Sequence, residues 1–297
     1  MAKAREIKKR IKAVGNIRRI TKTMQMIATS KFARAQNAAT ASKPYTEGIF
    51  TLVTELAQRA GNISHPLIDG PITGFKPGAK QVILVITSNR GLCGPYNGSI
   101  LRTAIKHVRE KGADTFFREV VGKKGFAALK FAGITLDAFH THFGDAPKVA
   151  DVAKLAESYM DRFQKGEITG VTVVSMRFIS TSRQRPEVLQ LLPLRPPTTA
   201  GAGESAAKGT TEQYEFSPDA ATLLAELLPE TVTSTLWQIF SDAVVSEHVS
   251  RMIAMKAATD NAGKMGKSLS RRYNRARQSQ ITTELTEIIS GAAAAQA

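Results

Sequence analysis

The sequence predicts an α+α/β chain in which long helices at the two ends form an antiparallel coiled coil, with an α/β domain inserted between them. Three observations predict it. Apolar residues recur in steps of three and four from Ile7 to Ile27, the spacing returns from Val245 to Ala276, and short apolar runs alternate with helical patterns in between. Two helices that bracket an inserted domain pair most simply side by side and antiparallel.

The first segment, residues 1–59, has Pro44 as its only proline. Ile7, Ile11, Val14, Ile17, Ile20, Met24 and Ile27 make one apolar stripe, as in an amphipathic helix, and Pro44 is expected to kink it. Residues 60–80 are rich in Gly and Pro and read as a linker. Residues 81–195 carry the inserted domain. Its first strand is the continuous apolar run Gln81 to Ser88, which suits a strand covered on both faces. A Gly-rich turn follows, then a helix from Asn97 to Lys111, a strand from Thr115 to Val121, and helices at Phe126 to Phe131 and Lys148 to Gln164. Strands at Gly170 to Ser180 and Glu187 to Leu194 complete a mainly parallel sheet. Residues 196–213 shift to Thr, Ala, Gly and Ser and read as a surface connection.

Residues 214–297 form the last segment, with no proline after Pro229. Val245, His248, Met252, Met255, Thr259, Ala262, Gly266, Leu269, Tyr273 and Ala276 alternate spacings of three and four, the heptad of a left-handed coiled coil. Several are small or polar, which implies close helix packing with little greasy filling. Some 70 paired residues would give a rod of roughly 100 Å, and the C-terminal helix, being longer, should project beyond its partner.

Charge is concentrated on these helices. The formal charge is +16, and residues 1–36 hold eleven Lys and Arg against the single acid Glu6. Asp242 to Gln278 holds eight basic and three acidic residues. A solvated face would carry nearly balanced signs, so the excess points to an acidic partner along the rod. Beyond Gln280 the chain has Glu284 and Glu287, no basic residue and an Ala-rich end, the composition of a slim apolar tip. By composition alone the basic N-terminal run also fits a transit peptide, but the apolar pattern continues without a cleavage signal. No apolar run approaches the roughly 20 residues needed to span a bilayer, so the chain is expected to be soluble or peripheral.

Chemical motifs are weak. Gly266-Lys267-Ser268 resembles the end of a phosphate-binding loop, but its first glycine is missing and it lies inside the heptad run. Gly91-Leu92-Cys93-Gly94 follows the first strand without the remaining dinucleotide fingerprint. Cys93 is the only cysteine, which excludes an intrachain disulfide, and it reads as packing. His140 and His142 bring no further ligand cluster and read as a solvated loop. No catalytic residue, cofactor or metal is expected.

Three long stretches carry a specific resemblance. REIKKRIKAVGNIRRITKTMQMIATSKF (Arg5 to Phe32), TSNRGLCGPYN (Thr87 to Asn97), and SEHVSRMIAMKAATDNA with YNRARQSQITTELTEIISGA closely resemble the gamma subunit family of bacterial-type F-type ATP synthases. The resemblance implies a non-catalytic central-stalk rotor. In it an antiparallel coiled coil stands inside the alpha and beta subunits, and a Rossmann-like α/β foot meets the epsilon subunit and the c-subunit ring. It further implies one copy per complex, peripheral at the cytoplasmic face of the inner membrane, transmitting torque during hydrogen ion transport and ATP synthesis. Carried over by motif, Arg277, Gln278 and Thr282 resemble positions contacting the beta-subunit catch loop, and Met24 one facing its acidic lever. Lys22 is added on grounds of charge. The foot-domain turn is Arg90, Gly91, Cys93 and Gly94. The family's usual S-D-R-G-L-C-G-G-L-N is altered at Asn89, Pro95 and Tyr96, and the inserted cysteine pair of photosynthetic members is absent.

A basic coiled-coil protein that binds nucleic acid is the competing reading. Aromatic residues are only 6% of the chain, and none interleaves the basic run before Phe32, which gives single-strand stacking little support. A nucleotide-dependent enzyme built on the α/β segment is the third reading, and it lacks the fingerprints.

Overall fold

The computed structural model describes residues 2–59, 65–71, 74–194 and 220–296. The connection expected at 196–213 lies outside the described residues, as does part of the linker expected at 60–80. In chain order the elements are α1 (Ala2–Arg59), α2 (Pro66–Asp69), β1 (Lys80–Ile86), α3 (Tyr96–Lys111), a short 3-10 turn (Ala113–Thr115) and β2 (Phe116–Val121). Then come α4 (Lys123–Phe131), β3 (Ala138–His140), α5 (Val149–Gln164), β4 (Ile168–Phe178), β5 (Gln184–Leu192) and α6 (Ala220–Gln296). Long terminal helices and a central α/β sheet thus agree with the sequence pattern. The described residues form two compact units, Met1–Ser30 with Arg251–Ala297, and Lys31–Ser250, so both long helices pass from one unit into the other.

The first unit is a pair of antiparallel helix segments. Thr21 lies opposite Thr259, Arg18 beside Gly263 and Val14 beside Gly266. The heptad positions of α6 in this unit, from Met252 to Ala276, are all buried or half-buried. On α1 the expected stripe is only half right. Ile7, Ile11, Val14 and Met24 are partly buried, but Ile17, Ile20 and Ile27 are 52%, 58% and 52% exposed. The seam passes instead through Val14, Thr21 and Ala28, at the 3.5-residue repeat that keeps a coiled-coil stripe facing its partner. The expected stripe advances 20 residues in six steps from Ile7 to Ile27, a shorter mean step than 3.5, so the three isoleucines drift off the seam and end up beside it. Small residues at Ala262, Gly263 and Gly266 let the backbones approach. The hydroxyls of Thr21 and Thr259 lie 2.8 Å apart in the buried seam. Each also reaches a carbonyl of its own helix, Arg18 at 3.1 Å and Met255 at 2.8 Å.

The second unit is built around a five-stranded sheet of order β3-β2-β1-β4-β5, parallel except for the antiparallel edge strand β5. One face packs Val82, Leu84 and Ile86 against α5 and against the α1 and α6 residues Ile49, Val53, Leu236 and Phe240. The opposite face packs Ile83, Val85 and Val120 under α3 and α4 with Ile100 and Leu129. β3 and α2 were not expected from the sequence. Each is too short to show a period, at three and four residues.

β2 carries a charge into the α5-covered face. Glu119 is 4% exposed and accepts from Tyr159 Oη at 2.7 Å and Arg162 Nη1 at 2.9 Å, with His140 Nε2 at 2.8 Å. His140 is therefore a buried-carboxylate partner and not the solvated loop residue expected, whereas His142 is exposed. Burial opposes ionisation of Glu119, but the hydrogen bonds from His140, Arg162 and Tyr159 outweigh it and lower the pKa to about 2.

Two predictions follow from these contacts. Thr259→Val should cost about 1 kcal/mol in urea unfolding, while Thr21→Val with Thr259→Val should cost less than the sum of the singles, because the double change leaves no unmatched hydroxyl. Additive losses would show that the two hydroxyls are energetically independent. Glu119→Gln should destabilise by about 3 kcal/mol, because it leaves Arg162 inadequately paired. Glu119's folded pKa lies below its ordinary value. Its contribution is therefore present above pH 4.5 and is lost as the pH falls towards 2, which unfolding titrations of wild type and variant should show.

Candidate functional site

The turn that leaves β1 is held by a compact network. The Ser88 backbone N–H donates to Asn97 Oδ1 at 3.0 Å, Asn97 Nδ2 donates to Ser88 Oγ at 2.8 Å, and Ser88 Oγ lies 2.7 Å from the Arg90 carbonyl. Asn97 Nδ2 also lies 3.3 Å from Cys93 Sγ, and Cys93 is buried at 3% exposure. This residue belongs to the buried cluster that includes Ile83, Val85 and Ile100, and its thiol also lies 3.7 Å from Ser88 Oγ. Gly94 sits at φ 56° and accommodates the left-handed turn. Leu92 sits at φ 62° and is not a glycine, and its side chain is 60% exposed. A strained backbone that presents an apolar side chain to solvent marks Leu92 as a surface feature of this turn. Sequence reasoning missed it, since a Leu between glycines carries no signal of its backbone angle.

Arg90 joins the turn to the rest of its unit. Its Nε lies 3.3 Å from Asp145 Oδ2, which also takes a 2.8 Å bond from Lys31 Nζ of α1. Burial pushes the Asp145 carboxyl up, but Lys31, Arg90 and His248 pull it below its ordinary value. Gly91 packs beside the Lys124 side chain. Behind the turn, Thr87 Oγ1 donates to the Val121 carbonyl at 2.7 Å and accepts from the Gly125 N–H at 3.0 Å. Gly122, at φ 96°, lies so close to the Thr87 carbonyl that a Cβ would collide with it.

Asn89, Pro95 and Tyr96 each have a structural place here. Asn89 Nδ2 donates to the Phe143 carbonyl at 2.9 Å, and its Oδ1 accepts from the Lys123 N–H at 3.2 Å, at the start of α4. Pro95 caps α3. Tyr96 is 1% exposed, and its hydroxyl donates to the Ala243 carbonyl of α6 at 3.0 Å. In parallel sheets a nucleotide occupies the crevice at the carboxyl ends of the strands. At that end, Tyr96, Phe143, Phe240 and Ala243 leave a cavity of about 30 Å³, the volume of about one water.

In the first unit, Arg277, Gln278 and Thr282 are exposed on α6, with Thr282 Oγ1 bonded to the Gln278 carbonyl at 3.0 Å. Extending the antiparallel register brings the start of α1 level with Gln278, so these residues mark where α6 loses its partner. Ile281, Leu285, Ile288 and Ile289 beyond it are 55%, 55%, 69% and 59% exposed. On α1, Lys22 is exposed and Met24 half-buried. Gly266-Lys267-Ser268 lies within α6, and the Gly266 carbonyl accepts from Ser270 Oγ at 3.0 Å. It makes no loop. Among the described residues no group of three or more metal-ligating side chains converges.

The family model described as ATP synthase matches residues 3–295. The ATP synthase gamma chain of Rhodopirellula baltica is 45% identical over 98% of each chain, and that of Leptospira biflexa is 39% identical over 99% of each. The chain belongs to the ATP synthase gamma chain family. As a gamma-chain family member it shares its fold with a chain of the Euglena gracilis mitochondrial ATP synthase rotor, at 17% identity and TM-score 0.63, covering 94% of this chain and 99% of that one. A chain of the Tetrahymena thermophila mitochondrial ATP synthase central stalk and c-ring gives TM-score 0.54 at 17% identity, covering 80% of this chain and 99% of that one.

The Asn89 geometry generates a further prediction. Asn89→Asp removes the donor to Phe143 and sets a carboxylate against that carbonyl, partly offset by the helix N-terminus at Lys123. The variant should lose about 1 kcal/mol in chemical denaturation at neutral pH, and equal stability would show that the Asn89–Phe143 bond contributes nothing.

Proposed function

We propose that this chain is the central-stalk rotor shaft of a proton-driven ATP synthase, transmitting torque between a c-subunit ring and a head of alpha and beta subunits while carrying no nucleotide site itself. The observation that carries the reading is the first unit: a close antiparallel helix pair with a basic surface and an unpaired apolar end. Torque requires a shaft that resists twisting, and two helices locked by a continuous seam resist it better than one. The exposed row Ile17, Ile20 and Ile27 and the basic side chains around Lys22 give the shaft unequal sides. As such a shaft turns, it presents apolar and cationic faces in succession to the surrounding subunits. Met24 and Lys22 are the positions offered to the acidic lever of beta, and Arg277, Gln278 and Thr282 those offered to its catch loop. The tip beyond Ile281 suits an apolar sleeve, where a buried unpaired charge would be costly.

The α/β unit is the foot, with Arg90, Gly91 and Gly94 of the turn towards its surface over the buried Cys93, and epsilon and the c ring as its partners. The 30 Å³ left at the strand ends supports a non-catalytic foot, with the nucleotide sites on alpha and beta. No described helix is long and apolar enough to cross a membrane, which fits a peripheral place at the cytoplasmic face of the inner membrane, held there by the ring.

Two experiments test the proposal. Affinity purification of the tagged chain from native membranes should recover alpha and beta subunits in threefold excess over it, and recovery without them would refute the assignment. Arg277→Ala with Gln278→Ala should lower assembly or ATP-driven rotation by on the order of tenfold without changing the helicity of the isolated chain. Undiminished rotation with normal assembly would remove these two residues from the contact.

A further inference from the structure

A cleft of about 340 Å³ opens on the sheet face covered by α3 and α4. Packed interiors leave few voids larger than a water, whereas this volume falls in the range of small-ligand sites. Ile83 and Val85 of β1, Ile105 and Val108 of α3, and Leu129 of α4 line it. Ala104, Ala132 and Gly133 lie among these walls and are too small to fill the space, and a Cβ built at Gly133 meets no atom within 4 Å. The apolar surface continues at the rim, where Phe131, next in the chain to Ala132, is 95% exposed.

The charged groups around the cleft are already engaged. Along β2, Phe116, Arg118 and Val120 share the face under α3 and α4, while Phe117, Glu119 and Val121 share the other. Glu119 thus turns its carboxylate away from the cleft, to Tyr159, Arg162 and His140. Arg118 Nη1 donates to the Thr135 carbonyl at 3.2 Å and to Thr135 Oγ1 at 3.4 Å. Asp137 sets a negative charge beside it, with Oδ2 accepting from the Arg118 backbone N–H at 2.7 Å. Arg109 is exposed in the last turn of α3, where a cation suits the helix C-terminus. Two cations and two anions therefore balance around an apolar space. An ion that entered would give up its hydration against groups that already have partners or water.

We propose that this cleft binds a free, uncharged ligand with a compact hydrocarbon body, such as an alicyclic alcohol. The aliphatic walls take the ring and supply the affinity, because water inside them finds few partners and is readily displaced. Selectivity comes from the balanced charge: a neutral head loses little hydration on entering, whereas a carboxylate or an ammonium loses much and gains no new partner. The inference does not depend on the rotor reading.

The test uses the purified full chain with isoleucine methyl groups labelled for NMR, titrated with cyclohexylmethanol, cyclohexanecarboxylate and cyclohexylmethylammonium, which share one ring and differ in the charge of the head. The alcohol should shift Ile83, Ile105 and Ile134 saturably, leave Ile281 and Ile288 unmoved, and bind roughly tenfold more tightly than either ion. Val108→Phe narrows the cleft and should weaken the alcohol by roughly fivefold or more. If that variant fails to fold, Ala132→Leu makes the same test from an exposed position at the rim. The proposal is overturned by the absence of saturable shifts, by shifts confined to the exposed helix tip, by equal or tighter binding of either ion, or by a narrowed cleft that binds the alcohol as before. Neutral phosphatidylcholine vesicles separate a membrane source. If the same three methyl groups respond to vesicles and not to cyclohexylmethanol, the occupant is a bilayer lipid and the free-ligand assignment fails.

Discussion

Close approach of two helix backbones is possible only where the facing side chains are small, and the structure depends on this condition being met along one strip of α6. Ala262, Gly263 and Gly266 meet it, and Arg18 and Val14 of α1 lie against the two glycines. Small residues bury little apolar area, so the seam gains less from the hydrophobic effect than a leucine-rich one would. Its compensation is contact at short range and a buried polar pair, Thr21 with Thr259, which is matched only in one register. The large apolar side chains that a stable isolated coiled coil would put inside are instead outside, at Ile17, Ile20 and Ile27. Apolar rows of this kind mark interaction surfaces, and here they lie on an element whose internal packing is already complete.

The second unit solves a different problem: it keeps an α/β sheet while closing the crevice in which such sheets bind nucleotides. The closure is made by its own chain. Tyr96 reaches α6 at Ala243, Asn89 ties the turn to Phe143, and Thr87 clamps the β2–α4 turn where only a glycine fits at position 122. Lys31, Arg90 and Asp145 then fasten the turn to α1. The carboxyl ends of the strands thus anchor helices in place of a ligand.

Legibility in the sequence followed the physics of repetition. The α6 seam could be read because a heptad over many turns has no competing explanation, and small residues count in it as readily as large ones. The α1 seam was misplaced because its isoleucines recur at a mean step shorter than 3.5, while the paired face keeps the 3.5-residue repeat through Val14, Thr21 and Ala28. β3 is too short to have a period. Glu119 could not be read as buried, since an acid in FFREVV has the appearance of an outward strand position until Tyr159, Arg162 and His140 converge on it from α5 and β3. Of the turn, its position and glycines were legible. The ion pair from Arg90 to Asp145 and the positive φ of Leu92 depend on tertiary placement, which no local pattern encodes.

The distribution of charge connects the two units to function more directly than any motif does. A surface dense in Lys and Arg repels itself, and that repulsion is tolerable in solution only through screening by salt. In the first unit Arg10 pairs with Glu6, one turn apart and exposed, and residues 1–30 with 251–297 hold seventeen Lys and Arg against four acids, so positive charge is in large excess along the helix pair. In the second unit the arginines at 90 and 162 are paired to Asp145 and Glu119. A chain that pairs its charges around the sheet and carries so large a positive excess along the helices is suited to an electrostatic complement in other molecules, and the same helices carry the exposed isoleucines. Charge and apolar exposure fall together on the surface that an assembly would cover.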